Sequence, residues 1–392
     1  MMPTRRGIAV LVCGVLLAAL GYRYGYPELV ALGAAAVVAF LAALGVAGAR
    51  PALVVDRTVE PERVSRGEEC TAVVTVRSTA RWRSQALVAA DQLSHVDGTV
   101  RTVPVPLIRL KAGAGTFLRY PLPTDRRGVV DVGPLEIARR DPLGLVSASR
   151  RYGGITRIWV HPRSHPVRTV PVGASRSLEG VVDAAQYGSI TFHALREYVP
   201  GDDLRHVHWR TSAHIGDLMV RQHVETSLPR IVVLLDDRAA AYGAVGGAEP
   251  DYLEETIEAA ASVLLAALRA GLHVELHLVS GRSVVPHPGT LTGSARYLDL
   301  LSEVRREPGA SLRAAVRRLR ARHRGDTLVL LTGSREGSDL EQLGVLRDVY
   351  PTVVAGVLGE ATWRPGNLPG VIVIPARTGE EFAPRWDGVS RW

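Results

Sequence analysis

The apolar positions near the start of this chain form two almost continuous runs. They cover about residues 7–24 and 28–49, and the short turn Gly25-Tyr26-Pro27 separates them. Each run is close to the roughly twenty apolar residues that cross a bilayer. We therefore predict a two-helix membrane hairpin within residues 1–50.

The arginines that flank these runs predict their orientation. Arg5 and Arg6 precede the first run and Arg50 and Arg57 follow the second, whereas the turn region carries Arg23 alone. Basic residues are favoured on the cytoplasmic side of a membrane protein. We therefore expect a plasma-membrane protein whose termini and soluble domains are all cytoplasmic. The alternative, a cleaved secretory signal, is disfavoured by the second apolar run.

The pattern changes to short β-prone runs between residues 51 and 165. These runs alternate apolar and polar positions and are separated by Gly, Pro and charged turns, which is typical of strands with one buried face. We predict a β-sandwich of the immunoglobulin or fibronectin kind. Its clearest strands are Thr71–Val76, Val100–Ile108, Phe117–Leu122 and Ile155–His161.

From residue 230 to 392 apolar strands alternate with helical patterns, which indicates an α/β domain with a mostly parallel sheet. Residues 166–229 link it to the sandwich. The order of elements resembles the von Willebrand factor type A fold. The predicted strands and helices are Ile231–Leu235, Tyr252–Ala270, His273–Val279, Ser311–His323, Asp326–Thr332, Asp339–Tyr350, Thr352–Leu358 and Val371–Ile374.

Composition narrows the class of protein. The 392 residues carry a formal net charge of +8, but the basic residues are dispersed among acidic ones and only Lys111 is a lysine. No nucleic-acid-reading motif accompanies the charge, so we expect no nucleic-acid partner. Cys13 and Cys70 have neither a disulfide framework nor the spacing of a zinc or redox motif.

The most patterned segment is Leu195–His214, LREYVPGDDLRHVHWRTSAH. Pro200-Gly201 predicts a turn. A helix is expected to follow, with Asp202 as its N-cap and Gly216 at its end. Its expected buried face is Leu204, Val207, Thr211 and Ile215.

This segment resembles the central block of the bacterial family called domain of unknown function 58. Family members usually have Asp directly before the Trp, where this chain has His208. Three upstream elements resemble the family as well, namely Arg127-Gly128, Val132–Leu135 and Asp141–Leu145. The residues that carry the resemblance in the block are Arg196, Tyr198, Pro200, Gly201, Asp202, Arg205, Trp209, Ser212, Ala213, Val220 and Arg221.

We assign the polar residues of the block to structure or to partner binding. Arg196, Asp202, Asp203 and Arg205 are expected either to form an ion-pair network or to meet a partner. The aromatic pair Tyr198 and Trp209 suits core anchors, with interface contacts as the alternative. Gly201, His208 and Ser212 complete this set. No catalytic residue is assigned, because the chain has neither a serine-nucleophile elbow nor a phosphate-binding loop.

Two places in the sequence carry residues of the kind that bind metal ions. Type A domains hold magnesium with an Asp-x-Ser-x-Ser loop, but here the strand ends in Asp236-Asp237-Arg238-Ala239-Ala240, with a positive charge at the third position. The sequence therefore predicts no cofactor. The alternative is a magnesium ion at Asp236, Asp237 and Thr292. His273, Glu275 and His277 alternate along one strand and suit a polar strand face better than a zinc site.

Together these features predict a membrane-anchored, non-enzymatic scaffold or adaptor of the bacterial cell envelope. The family resemblance implies a MoxR-type AAA ATPase and a transglutaminase-like membrane protein as partners. One alternative is a metal-dependent hydrolase that uses acidic and imidazole groups at the sheet edge. The other is a purely structural envelope protein. The hydrolase would use Asp202, Asp203, His206, His208 and Asp236.

Overall fold

A computed structural model describes most of the chain, which forms two compact units, Met1–His161 and Pro162–Trp392. The described residues are 2–48, 53–78, 85–95, 98–110, 114–140, 143–171, 191–199, 207–224, 229–243, 250–286, 293–322, 325–333, 337–359 and 368–389.

Two antiparallel helices open the first unit. Helix α1 covers Arg5–Tyr24 and helix α2 covers Pro27–Gly48. Thr4 caps α1, since its hydroxyl accepts from the Gly7 amide, and Gly25 ends α1 in the left-handed conformation at φ 79°. Both helices are long and apolar enough to cross a membrane, as predicted.

Glycines allow α1 and α2 to pack closely. A Cβ on Gly14 would lie 2.9 Å from the Ala36 Cβ, and one on Gly33 would lie 2.5 Å from the Gly14 carbonyl oxygen. Gly21 is similarly crowded by Val30. Small residues at the contact replace the missing hydrophobic driving force between helices in lipid. Gly45, which also lies on α2, meets nothing within 4 Å.

The rest of the first unit is built from strands in two sheets that share one core. The three-stranded sheet has the order β2-β4-β7. The second sheet has seven strands: five in the order β1-β9-β8-β10-β3, together with β5, which pairs with β8 and with β6. Alternate residues such as Ala72, Val74 and Val76 are buried between the sheets. The strands are β1 (Met2–Pro3), β2 (Leu53–Glu60), β3 (Arg63–Ser65), β4 (Cys70–Ser78), β5 (Gln85–His95), β6 (Val100–Leu110), β7 (Gly115–Leu122), β8 (Gly128–Arg140), β9 (Val146–Tyr152) and β10 (Thr156–His161).

One buried ion pair joins the two sheets. Arg57 on β2 lies 2.9 Å from both carboxylate oxygens of Asp91 on β5, and the hydroxyl of Tyr120 on β7 donates to the same carboxylate. Burial and the Asp91 carboxylate raise the pKa of Tyr120 above its usual value, so Tyr120 remains a donor. Gly133 lies against the Arg57 guanidinium, where a Cβ would clash at 2.4 Å. Gly133, one of the upstream family-like residues, is therefore needed for this close approach.

The helical hairpin is joined to the β region of its own unit. Strand β1 pairs with the start of β9, with Met2 opposite Ser147 and Pro3 opposite Val146. The Thr4 hydroxyl donates to the Gly144 carbonyl oxygen at 2.7 Å, and the Thr4 amide donates to the Leu145 carbonyl oxygen at 2.9 Å. The start of α1 therefore lies on the same side of the hairpin as the strands.

The second unit contains an antiparallel strand pair, with most of the family-like block between its two strands, and a six-stranded sheet. That sheet has the order β15-β14-β13-β16-β17-β18; its pairs are parallel except β14 with β15. The elements are β11 (Thr191–Glu197), α3 (Trp209–Ile215), β12 (Met219–Val224), β13 (Arg230–Leu235), α4 (Tyr252–Arg269), β14 (His273–Leu278), β15 (Ser283–Val284), α5 (Ser294–Glu303), α6 (Leu312–Arg322), β16 (Thr327–Thr332), α7 (Gly337–Glu341), β17 (Thr352–Leu358), β18 (Ile372–Ala376) and α8 (Gly379–Asp387).

Helices cover both faces of this sheet. Ile231, Val233 and Leu235 of β13 pack with α4, α5 and α8, whereas Val232 and Leu234 pack with α6 and α7. The predicted alternation of strands and helices is confirmed here. The single helix expected over Asp339–Tyr350 is wrong, because α7 ends at Glu341 and the 3-10 helix Gln342–Leu346 follows it.

Candidate functional site

Helix α3 of the family-like block is shorter than predicted. It starts at Trp209 with His208 as its N-cap, and it ends at Gly216, which adopts φ 93°. Val207 forms a β-bridge with Val220, so it belongs to extended backbone and not to a helical face. The prediction of Asp202 as the cap of this helix is therefore wrong, and the prediction of Gly216 as its end is confirmed.

His208 performs the capping that the family's Asp is suited to perform. Its Nδ1 accepts from the Thr211 amide at 3.3 Å and lies 2.7 Å from the Thr211 hydroxyl oxygen. A carboxylate at this position is a preferred N-cap because its oxygen accepts from the same backbone group. Acceptance at Nδ1 assigns the ring proton to Nε2. The local departure from the family pattern thus preserves the cap.

Ser212 fixes α3 to strand β12. Its buried hydroxyl accepts from the Met219 amide at 2.8 Å and donates to the His208 carbonyl oxygen at 3.1 Å. Both bonds satisfy backbone groups at a helix-to-strand junction. Ser212 therefore has a structural role.

Trp209 is exposed to solvent, with 63% of its surface accessible, so the core-anchor interpretation is wrong for this residue. Its neighbours in the block share this property: Val199, Ile215 and Leu218 are also large, apolar and exposed. Tyr198 is half-buried and its amide donates to the Leu218 carbonyl oxygen at 2.7 Å. We call Val199, Trp209, Ile215 and Leu218 the apolar block surface.

Several predicted site residues lie outside the described residues. They are Gly201, Asp202, Asp203, Arg205, His206 and Thr292. The main chain of Arg196 pairs with Val220, but the Arg196 side chain also lies outside the described part.

Asp236 directly follows β13 at the carboxyl edge of the sheet and is fully buried, with 0% exposure. The Thr332 hydroxyl at the end of β16 donates to Asp236 Oδ2 at 2.7 Å, and the Asp236 amide donates to the Leu331 carbonyl oxygen. Tyr242 donates to the Asp236 main-chain oxygen. The strand that follows β13 in the chain lies on one side of it in the sheet, and the strand that follows β16 lies on the opposite side. The edge between β13 and β16 is therefore a topological switch point, where open α/β sheets bind ligands.

A guanidinium group occupies the space next to Asp236. Arg238 donates from Nε to Asp236 Oδ1 at 2.9 Å and from Nη2 to Asp236 Oδ2 at 2.8 Å. Nη2 also donates to Asp339 Oδ2 at 2.7 Å, near the start of α7. Burial opposes the charge, yet the bonds to the two carboxylates raise the pKa of Arg238 above its usual value. Arg238 therefore carries a permanent cation between Asp236 and Asp339.

The other predicted magnesium ligand, Asp237, faces away from this cluster. Its Oδ1 accepts from the Ser280 amide at 2.9 Å, after β14. Burial raises the pKa of Asp237, and the Asp236 charge adds to the rise. Sequence reasoning missed Thr332 and Asp339 as the residues that complete the Asp236 cluster. The available signals were a polar residue at a strand end and an acid in the first turn of a helix.

The polar face of β14 is buried and not a solvent-exposed sheet edge. His277 Nε2 lies 3.1 Å from Glu275 Oε2, and Arg230 Nη1 lies 3.5 Å from Glu275 Oε1. Burial opposes ionisation, but His277 and Arg230 hold the pKa of Glu275 below its usual value. Charge pairing thus accounts for the alternation of His and Glu. Within the described ranges no group of three or more His, Cys, Asp or Glu side chains is arranged to hold a metal ion.

Comparison with known proteins relates the block and the first part of the six-stranded sheet to one family. Residues 194–350 match the model of the family described as protein of unknown function DUF58, and this chain carries a domain of that family. The match begins within β11 and ends at Tyr350, before β17, so it includes both α3 and the Asp236 cluster. No curated protein matches the chain.

Solved structures show only distant similarity. The Pseudomonas fluorescens alkylpurine DNA glycosylase AlkC bound to DNA is 21% identical with a TM-score of 0.21, over 28% of this chain and 33% of that chain. The C-terminal domain of wzt is 14% identical with a TM-score of 0.24, over 28% of this chain and 74% of that one. A β-glucosidase from Listeria innocua with glucose is 12% identical with a TM-score of 0.18, over 28% and 16%. The chain thus spans about a third of the glycosylase.

Proposed function

We propose that this chain is a membrane-anchored, non-enzymatic adaptor of the bacterial cell envelope whose DUF58 block docks a partner protein. In this proposal α1 and α2 span the plasma membrane and the two soluble regions face the cytoplasm. The partner is a MoxR-type AAA ATPase, which supplies the energy for remodelling an envelope complex that contains a transglutaminase-like membrane protein.

The strand order supports a type A-like identity for the C-terminal sheet. Across the sheet, its first three strands stand in reverse chain order and its last three in forward order. The third of its strands in chain order, β15, is the antiparallel edge. The two sheets of the first unit share one core and consist mostly of antiparallel pairs, which supports an immunoglobulin- or fibronectin-like sandwich. Both kinds of domain suit the positioning of partners.

The apolar block surface is the observation that carries the proposal. Large exposed apolar side chains gathered in one segment favour an interaction site, and Trp is one of the residues most enriched where binding energy concentrates. The polar groups nearby have structural partners instead of catalytic ones: His208 caps α3, and Ser212 holds β12. These contacts make α3 a fixed platform that presents Trp209 to a partner.

The Asp236 cluster supports a non-enzymatic role. A general acid or base needs a carboxylate that can exchange protons with a substrate. Asp236 is instead bonded to Arg238 and Thr332, and it is closed to solvent. Of the groups assigned to the alternative hydrolase, Asp236 and His208 are thus committed to internal contacts.

The test measures binding of the purified MoxR-type AAA ATPase of the same bacterium to the full chain in lipid nanodiscs. We expect saturable binding that Trp209→Ala weakens by a factor of about 30, since loss of an interface hot spot costs about 2 kcal/mol. Phe117→Ala is the matched control, because Phe117 is an equally exposed aromatic residue on β7 of the other unit. Its affinity should equal that of the unaltered chain.

Three outcomes contradict the adaptor. An equal loss of ATPase affinity from Trp209→Ala and Phe117→Ala would show that the block is not the docking site. Absence of binding by the unaltered chain would favour the purely structural protein. Metal-dependent hydrolysis by the chain alone, abolished by Asp236→Asn, would favour the hydrolase.

A further inference from the structure

We propose that Leu143–Leu145, which we call the β8–β9 corner, lies in the headgroup layer of the membrane and binds anionic phospholipid together with the first turn of α1. The partner of this surface is the lipid bilayer itself. The inference rests on the proposed membrane anchoring and assigns a second, peripheral contact to the soluble part of the anchored unit.

The contacts of Thr4 determine the depth of this corner. Thr4 immediately precedes α1 and bonds to the carbonyl oxygens of Gly144 and Leu145. Gly7, one turn into α1, packs so closely on Leu145 that a Cβ would lie 2.1 Å from the Leu145 oxygen. A residue that contacts the first turn of a membrane-spanning helix lies at the level where that helix enters the bilayer.

Packing with the second helix gives the same depth. Phe40 and Ala43 of α2 share a buried cluster with Leu145 and Val146, and Val10 and Leu11 of α1 contact this cluster. Both helices therefore hold the corner from the bilayer side. The corner is thus held against the helices by a shared hydrophobic cluster in addition to the hydrogen bonds of Thr4.

The exposed groups at the corner suit a lipid headgroup layer. Leu143 is apolar and 63% exposed, next to a glycine in the left-handed conformation, Gly144. Arg5 and Arg6 are both exposed in the first turn of α1. An apolar side chain that enters the acyl boundary, with arginines on the adjoining helix turn that attract acidic headgroups, is the composition of a peripheral lipid-binding surface.

The other end of β9 provides an internal comparison. Ile155 follows β9 and is 64% exposed, so it matches Leu143 in character and accessibility. The 7 residues of β9 span about 20 Å. Strand β9 runs antiparallel to β1, with Pro3 opposite Val146 and Met2 opposite Ser147, so it leads away from the start of α1. Ile155 is therefore expected to lie in water.

The experiment places an environment-sensitive NBD probe at either residue of the full chain. Leu143→Cys and Ile155→Cys are made in a Cys13→Ala background, and Cys70 is retained because it is buried. The labelled proteins are reconstituted in phosphatidylcholine vesicles with or without phosphatidylglycerol, some carrying spin labels at the headgroup. Flotation of the vesicles reports anchoring in the same samples.

We expect blue-shifted emission and several-fold stronger headgroup quenching for the Leu143 probe than for the Ile155 probe. Phosphatidylglycerol should increase the quenching, and Arg5→Gln with Arg6→Gln should remove that increase. Flotation with equal quenching at both probes would overturn the inference but leave anchoring intact. A response that does not depend on phosphatidylglycerol would overturn the choice of anionic lipid. Failure to float would overturn anchoring itself.

Discussion

At the scale of single residues, Arg238 determines the character of the sheet edge. It carries its charge on a side chain bonded to Asp236 and Asp339, with Thr332 as a further donor. In a metal site a bound ion would neutralise such carboxylates, and that ion could dissociate. Here the counter-charge is covalently part of the chain, so the edge keeps its electrostatics in any ionic environment.

Replacing Arg238 should therefore be costly. We expect Arg238→Ala to lower the free energy of unfolding by about 3–5 kcal/mol, since it leaves buried carboxylates without their partner. Magnesium should raise the thermal midpoint of this variant, because two carboxylates and a hydroxyl then remain for a cation. Thermal unfolding of the full chain in detergent, with and without magnesium, measures both effects.

Arg282→Ala is the control for this prediction. Arg282 pairs with Glu303, and both side chains are largely exposed, so its loss should change stability by less than about 1 kcal/mol. If Arg238→Ala proved no more costly than Arg282→Ala, the Asp236 cluster would not be the tightly coupled group that its geometry indicates.

At the scale of elements, helix α3 depends on its cap. We expect His208→Ala to cost about 1 kcal/mol, because the Thr211 amide then loses its side-chain acceptor. His208→Asp, the family's usual residue, should keep the stability within a few tenths of a kcal/mol. Chemical unfolding of the full chain measures the difference. His214→Ala, at the other end of the same helix, should have little effect, and equal stability of the Ala and Asp variants at 208 would contradict the capping role.

The sequence predicted those elements whose burial creates a strong periodic pattern. Ile231–Leu235 and Tyr252–Ala270 are close to β13 and α4, because a fully buried strand and a helix with one apolar face leave clear patterns. Gly344 lies inside the expected Asp339–Tyr350 helix and weakens it. Val207 was assigned to α3 by spacing alone, but its pairing with Val220 is a tertiary contact that spacing cannot reveal.

The site was harder to predict than the fold, because tertiary contacts bring its residues together. Asp236 was found because it follows a buried strand directly. Its partner Asp339 lies about a hundred residues further along the chain, and only the parallel pairing of β13 with β16 brings the two regions together. Trp209 was expected in a core because most tryptophans are largely buried. Its exposure is a property of the folded surface.

At the scale of the whole molecule, the first unit joins the helical hairpin and the strands into one body through Gly7. We expect Gly7→Val to separate the hairpin from β9, because the added side chain would overlap the Leu145 carbonyl. Hydrogen exchange of residues 143–148 in the nanodisc-bound full chain should then become faster by at least about tenfold, the equivalent of 1.4 kcal/mol.

Gly45→Val is the matched control for this change. Gly45 also lies on a helix of the hairpin, α2, but a Cβ there meets nothing within 4 Å. Its exchange rates should equal those of the unaltered chain. Equal acceleration by both variants would show that any bulky substitution loosens the hairpin and that Gly7 has no special contact with β9.

The bond between Thr4 and Leu145 also has a consequence for biosynthesis. Its two residues are 141 positions apart, so the ribosome completes both helices long before β9 exists. Domains generally fold in the order of their synthesis, so in the proposed anchoring the hairpin enters the bilayer while the edge of β9 has yet to be made. Under the proposed anchoring, the strands would complete their second sheet against a helix pair already held in lipid, so the bilayer surface would be the place where this unit finishes folding.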